Sequence, residues 1–218
     1  MNKGAFVLLF LIWLLASVFL WWASPSFGAA AIATGGAGPA ADPRFEMTTA
    51  LQAMGPHSSL GDRAKIFGRF VGTWDVEYTD FAKDGKVTRH RSGELVVGWT
   101  MDGRAIQDFW TVDPSGGRKD REVYTTVRYF DPKTGTWLAT FIDPENASIA
   151  RFTGGAVGED RIVLNTQDFA GEQTRWSFYD IRPDTFDYRE DASSDGGKTW
   201  RLTLGAHMQR RAAAPPSQ

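Results

Sequence analysis

From Gly72 onward, apolar and polar residues alternate with a period of two. Trp74, Val76 and Tyr78 alternate with Thr73, Asp75, Glu77 and Thr79, which predicts a strand with one buried face. Runs of the same kind follow at Val87 to Met101, Ala105 to Val112, Glu122 to Phe130, Trp137 to Ile142, Ser148 to Thr153, Arg161 to Gln167, Thr174 to Ile181, Thr185 to Ala192 and Trp200 to Gln209. The pattern predicts about ten strands. The segments between them carry turn chemistry: Asp84-Gly85, Asp102-Gly103, Asp131-Pro132-Lys133-Thr134-Gly135, Arg182-Pro183-Asp184 and Asp195-Gly196-Gly197 supply Gly for positive φ or Pro for fixed φ. Such short gaps favour antiparallel neighbours. Ten strands laid flat would expose two long edges, and closing the sheet removes both. The expected fold is a mainly β, single up-and-down antiparallel barrel.

Ahead of the strands the period is nearer 3.6. Phe45, Met47, Leu51, Met54, Leu60, Ile66 and Phe67 recur at helical spacings interrupted at Gly55-Pro56, predicting two short helices, the second starting near Ser59 and running into Phe67. The N-terminus reads differently again. Lys3 precedes an unbroken apolar or small-residue run from Ala5 to Ala23, followed by Ser24, Pro25 and small residues. This is the pattern of a secretory signal, with cleavage sites before Ala29 or Ile32. As a helix the run would reach roughly 28 Å, so a retained anchor is the alternative. Residues 1–28 are therefore expected to be a signal peptide or membrane anchor, with the domain periplasmic or secreted in either case. Residues 29–58 read as a flexible Ala/Gly/Pro linker with a short helix, 59–211 as the barrel, and 212–218 as a disordered tail.

Composition narrows the function classes. Lys plus Arg number 24 against 26 Asp plus Glu, a balance that argues against nucleic acid as a partner and leaves the N-terminal segment as the only expected membrane contact. There is no cysteine, so disulfides, thiolate metal sites and cysteine nucleophiles are excluded. Nine Trp, fifteen Phe and five Tyr supply the core that must hold the fold instead.

Phe70-Val71-Gly72-Thr73-Trp74 resembles the opening strand of a calycin, the superfamily of lipocalins and fatty-acid-binding proteins. That resemblance implies that Gly72 and Trp74 close one end of the barrel and that a basic residue of the last strand, Arg210 or Arg211, stacks on the indole. The wider succession is similar to a bacterial family described only as domain of unknown function 1579. It comprises Asp102-Gly103-Arg104, Tyr129-Phe130-Asp131-Pro132 with Thr134-Gly135-Thr136-Trp137, and Ser194 to Trp200 before Arg210-Arg211. The similarity spans Ser59 to Arg211 and implies a lipocalin-like fold; the family has no activity to transfer.

Several motifs invite chemistry. Ser193-x-Asp195-x-Gly197-x-Thr199-Trp200 fits the Asp-box of sialidases, yet it occurs once, and its Asp and Thr suit a hairpin clasp over the Trp200 ring. Of the three histidines, His57 falls in a loop and His90 beside Arg89 and Arg91. By resemblance to the ten-stranded nitrobindins, His207 could ligate haem, although their Gly-rich first strand is absent here. No cofactor or metal is expected otherwise. No His-x-x-x-His or Gly-x-Ser-x-Gly appears, and no catalytic residue is nominated. The strongest candidates are polar residues set among apolar ones, which would line an interior cavity: Asp108 with Trp110, Arg128, Arg151, Arg175 with Tyr179, Glu190 and His207. The expected function is to bind or carry a small, partly apolar molecule outside the cytoplasm. A protein-interaction module with a filled barrel is the alternative, and a barrel enzyme using buried carboxylates such as Asp108 or Glu190 a third reading.

Overall fold

The computed structural model describes residues 47–49, 51–166 and 171–212. Every described residue belongs to one compact unit, Ala41–Gln218. The apolar run 5–23, its cleavage sites, most of the linker and residues 213–218 lie outside the described residues. Among the described residues no helix is long and apolar enough to cross a membrane.

Ten strands form one closed barrel: β1 (Gly72–Phe81), β2 (Val87–Thr100), β3 (Ala105–Val112), β4 (Glu122–Asp131), β5 (Thr136–Asp143), β6 (Ser148–Ala156), β7 (Ile162–Thr166), β8 (Gln173–Tyr179), β9 (Thr185–Ser193) and β10 (Arg201–Arg210). Each strand pairs antiparallel with its neighbours in sequence, and β1 pairs with both β2 and β10, for example Trp74 with Leu95 and with Arg210. Closure leaves no free edge. Side-chain alternation sends Trp74, Val76 and Tyr78 of β1 inward while Asp75 and Glu77 are exposed.

One end of the barrel is stoppered from below. A 3-10 turn (Ser58–Arg63) runs into α1 (Ala64–Gly68), so the second predicted helix is broken in two where Gly61 takes φ 51° and ψ −137°. The break lets Leu60 and Phe67 both bury. Phe67 reaches Trp137, with ring centres 5.0 Å apart, and Phe70 lies 4.4 Å from Phe186, which in turn meets Trp74 at 4.7 Å. The space left between this aromatic layer and Asp108 and Arg128 is only about 10 Å³, at most a single water. This half of the barrel is filled.

Gly72, Trp74 and Arg210 seal the same end. Arg210 lies over the Trp74 ring at 3.9 Å and donates to the carbonyls of Val71, Arg69 and Pro183, each at 2.8 Å. The Trp74 indole N–H donates to the Phe70 carbonyl at 2.8 Å. Gly72 has φ 133°, and a Cβ there would come within 2.7 Å of the Arg210 guanidinium, so the motif needs glycine for both backbone and space. At the opposite end, between β9 and β10, the Asp-box is a turn clasp. Asp195 accepts from the Thr199 hydroxyl at 2.7 Å and from the Lys198 and Thr199 amides, while Trp200 donates to the Gly197 carbonyl at 3.0 Å. The Thr199 hydroxyl and amide hold the Asp195 carboxyl down to about 2.

Candidate functional site

Beyond the aromatic stopper the interior opens into a cavity of about 240 Å³ towards the end that carries the Asp-box turn. Ring after ring surrounds it. Tyr78 of β1 contacts Trp110 of β3 at 6.2 Å, Trp110 contacts Tyr188 of β9 at 5.5 Å, and Tyr188 contacts Trp176 of β8 at 6.2 Å. Trp176 then meets Phe141 of β5 at 5.5 Å, and Phe141 stacks on Tyr124 of β4 at 5.9 Å. Between Tyr124 and Tyr78 the collar is closed by Arg91 of β2. Its guanidinium lies 5.2 Å over the Tyr78 ring and 3.6 Å from Glu122, the carboxylate that accepts the Tyr124 hydroxyl at 2.6 Å. All these rings share the inward parity of their strands, because Trp110 pairs with Tyr124 and Trp176 with Glu190 across the ladders.

At the floor of the cavity Arg128 and Asp108 form an ion pair at 3% and 2% exposure. Asp108 also accepts from the Thr126 amide at 3.0 Å. A pair this deep is held in place by its hydrogen bonds, since breaking one partner would strand a charge. Arg128 uses one terminal nitrogen on Asp108; its Nε has no partner in the protein, nor has the Thr126 hydroxyl or the Nε of Arg91. The wall's carboxylates, in contrast, are engaged. Glu190 accepts from the Trp176 indole at 3.1 Å and the Thr203 hydroxyl at 2.9 Å, and Asp143 accepts from the amide and side chain of Asn146. Burial raises the Glu190 carboxyl above its ordinary value, and the phenols of Tyr78, Tyr124 and Tyr188 are likewise raised chiefly by burial. The three phenols are therefore neutral donors at neutral pH.

The structure brings Asp108, Trp110, Arg128 and Glu190 together at this cavity or its floor, and it places four other candidates outside. His207 faces outward beside Asp187 at 2.7 Å, so a haem held by it would sit on the outer wall. Arg151 is exposed on the outer face of β6, whose inward residue is Phe152. Arg175 lies over the Trp200 ring at 4.2 Å and pairs with Asp191 at 3.2 Å, outside the wall. Tyr179 lies on that outer face, near Asp187, Arg189 and His207. The cause is common to Arg151 and Arg175. Ile149 is apolar yet 70% exposed, and Tyr179 is aromatic yet outward, so an apolar companion two or four residues away gave the wrong parity. Of the structural signature, Gly72, Trp74 and Arg210 meet at the closed end, and Asp195, Gly197 and Trp200 at the clasp.

Sequence reasoning missed Arg91, Tyr124, Thr126, Phe141, Asp143, Trp176 and Tyr188. Arg91 carried a usable signal: it is in phase with Leu95 and Val97, which are buried, and opposite Tyr78 on β1.

No protein-family profile and no curated protein matches the chain. Among solved structures it is similar to the S-type phycobiliprotein lyase CPES from Guillardia theta, with 13% identity and a TM-score of 0.49 over 68% of this chain and 92% of that one. A redesigned β-barrel is also similar, at 12% identity and a TM-score of 0.34 over 74% of this chain and all of that one.

Proposed function

We propose that this barrel binds a small, partly apolar molecule in the half-open interior, as an exported calycin-like carrier related to the domain of unknown function 1579 family. The observation that supports it most is the cavity of about 240 Å³, walled by aromatic rings and floored by Arg128 and Thr126, whose Nε and hydroxyl respectively have no protein partner. Leaving such a group unsatisfied costs roughly 1–3 kcal/mol, so a molecule that both fills the space and accepts from them is favoured twice over. The mouths of β-barrels are common places for such sites. Native mass spectrometry of the full chain purified from its source is expected to show the protein mass plus that of a retained small molecule. A spectrum of bare protein, together with no uptake from an extract of the source cells, would rule the carrier out.

Export draws on Lys3 and the apolar run 5–23. Sequencing the N-terminus of the mature protein is expected to begin at Ala29 or Ile32, or at Met1 in a membrane fraction if the segment is kept as an anchor. Recovery of the intact chain from the cytosol would contradict export. The alternative of an interaction module draws on the outer wall, where Val96, Phe109, Ile142 and Ile149 follow one another in register across β2, β3, β5 and β6, with Thr125 between them on β4.

A further inference from the structure

The chemistry of the cavity wall goes beyond "partly apolar" to a ligand class, an inference that rests on the interior-binding reading. Size comes first. A dry cavity of 150 Å³ suffices for benzene, and pockets for drug-sized ligands start near 300 Å³. At about 240 Å³ there is room for one ring and a short polar substituent. The collar of Tyr78, Trp110, Tyr188, Trp176, Phe141 and Tyr124 offers faces and edges to a planar ring on nearly every side.

Polar chemistry comes second. The buried polar atoms of lining residues that lack a protein partner are the Nε groups of Arg128 and Arg91, which can only donate, and the Thr126 hydroxyl, which can donate or accept. The carboxylates of Asp108, Asp143 and Glu190 already accept hydrogen bonds from protein groups. The site therefore asks for an acceptor.

Charge decides what kind of acceptor. Arg128 is balanced by Asp108, and Arg91 shares Asp80 (2.6 Å) with Arg89 and Glu122 (3.6 Å) with Arg118, whose other partner is Glu145. Asp143 adds a further carboxylate to the lining. An anionic ligand would enter a site whose guanidiniums are already paired with carboxylates, and a cationic one would meet two guanidiniums in the lining. Bringing an uncompensated charge into such a place is costly. We infer that the cavity takes a small, neutral, single-ring compound bearing a carbonyl-type acceptor, received by Thr126 and Arg128 while the ring packs in the aromatic collar.

Four probes of one shape test this: acetophenone, ethylbenzene (the same skeleton without the acceptor), benzoate and benzylammonium. Binding to the full chain is read by calorimetry and by quenching of tryptophan fluorescence, since Trp110 and Trp176 line the site. Acetophenone is expected to bind at least tenfold tighter than each of the others. Thr126→Val keeps the side-chain shape and removes a hydroxyl with no protein partner, so it is expected to fold; in it, the preference for acetophenone over ethylbenzene should shrink severalfold. Arg128→Lys keeps the charge opposite Asp108 and should shrink it further. Equal binding of ethylbenzene, or tighter binding of benzoate or benzylammonium, overturns the neutral-carbonyl assignment while leaving an interior-binding barrel. If none of the four binds, the assignment is also overturned; a retained molecule in the native mass spectrum would then separate its failure from that of the carrier.

Discussion

Arg210 does at one position what a disulfide-free barrel needs at its seam. It donates to three backbone carbonyls from two separate stretches of chain and covers the Trp74 indole. Arg210→Ala should lower stability by roughly 2–4 kcal/mol, because those carbonyls and the ring lose their partner together; urea unfolding monitored by tryptophan emission measures it. Arg210→Lys should recover little, since an ammonium cannot fork across three acceptors. Glu190 behaves differently. Its carboxyl is raised above the ordinary 4.5 by burial, so the folded state holds the proton more tightly than the unfolded chain. The associated stability is complete below 4.5 and is lost as pH rises through the raised folded value. Melting temperature followed from pH 4 to 7 should therefore fall for the native chain relative to Glu190→Gln, whose amide oxygen can still accept from Trp176; parallel curves would contradict the assignment. Both residues could be nominated from the sequence, Arg210 through the Gly72-x-Trp74 motif and Glu190 through its phase with Phe186 and Tyr188. Arg151 and Arg175 misled because the exposed Ile149 and the outward ring of Tyr179 look, in a single strand, the same as inward residues.

Strands were readable because alternation and turn chemistry agreed at each boundary, and where they conflicted the reading slipped. The sixth strand was expected to stop at Thr153, ahead of Gly154-Gly155, but β6 continues to Ala156. The reason is a close approach. A Cβ on Gly154 would lie 2.0 Å from the Val163 carbonyl oxygen of β7, so glycine here lets two strands pair at the wall, opposite Leu164. Gly154→Ala should push β6 and β7 apart and cost about 3 kcal/mol, with faster amide exchange along β7 as its signature. A change under about 0.5 kcal/mol would show that the ladder relaxes freely. The Asp-box clasp between β9 and β10 was legible in full, because every partner of Asp195 lies within four residues of it. Long-range partners such as Arg91 with Glu122 were not, because register between distant strands is set by the closed ladder and not by either segment alone.

Whether the barrel is hollow could not be read from alternation, since Phe67 and Phe141 are both aromatic residues of inward phase in their own elements. What separates them is topology. The helical segment inserts Phe67 and Phe70 at the end where Arg210 closes the seam, and nothing comparable among the described residues enters from the Asp-box end, where Phe141 borders the cavity. The molecule thus combines a packed base with an open mouth, the stability of one supporting incompletely satisfied polar atoms in the other. This division predicts opposite responses to the same truncation. Phe67→Ala removes a 2%-exposed ring packed on Trp137 and Phe178 and lying 5.3 Å from the Arg128 guanidinium, so it should cost about 3–5 kcal/mol. Probe binding by whatever fraction remains folded should change little. Phe141→Ala enlarges a cavity that already exists, and its partly exposed ring has fewer contacts to lose, so it should cost about 1–2 kcal/mol. Its effect should fall on binding: weaker uptake of single-ring probes and a shift towards two-ring ones, measured by titration at fixed protein concentration. If Phe67→Ala instead altered probe preference and Phe141→Ala only stability, the two halves of the interior would not be the separate base and mouth that the packing describes.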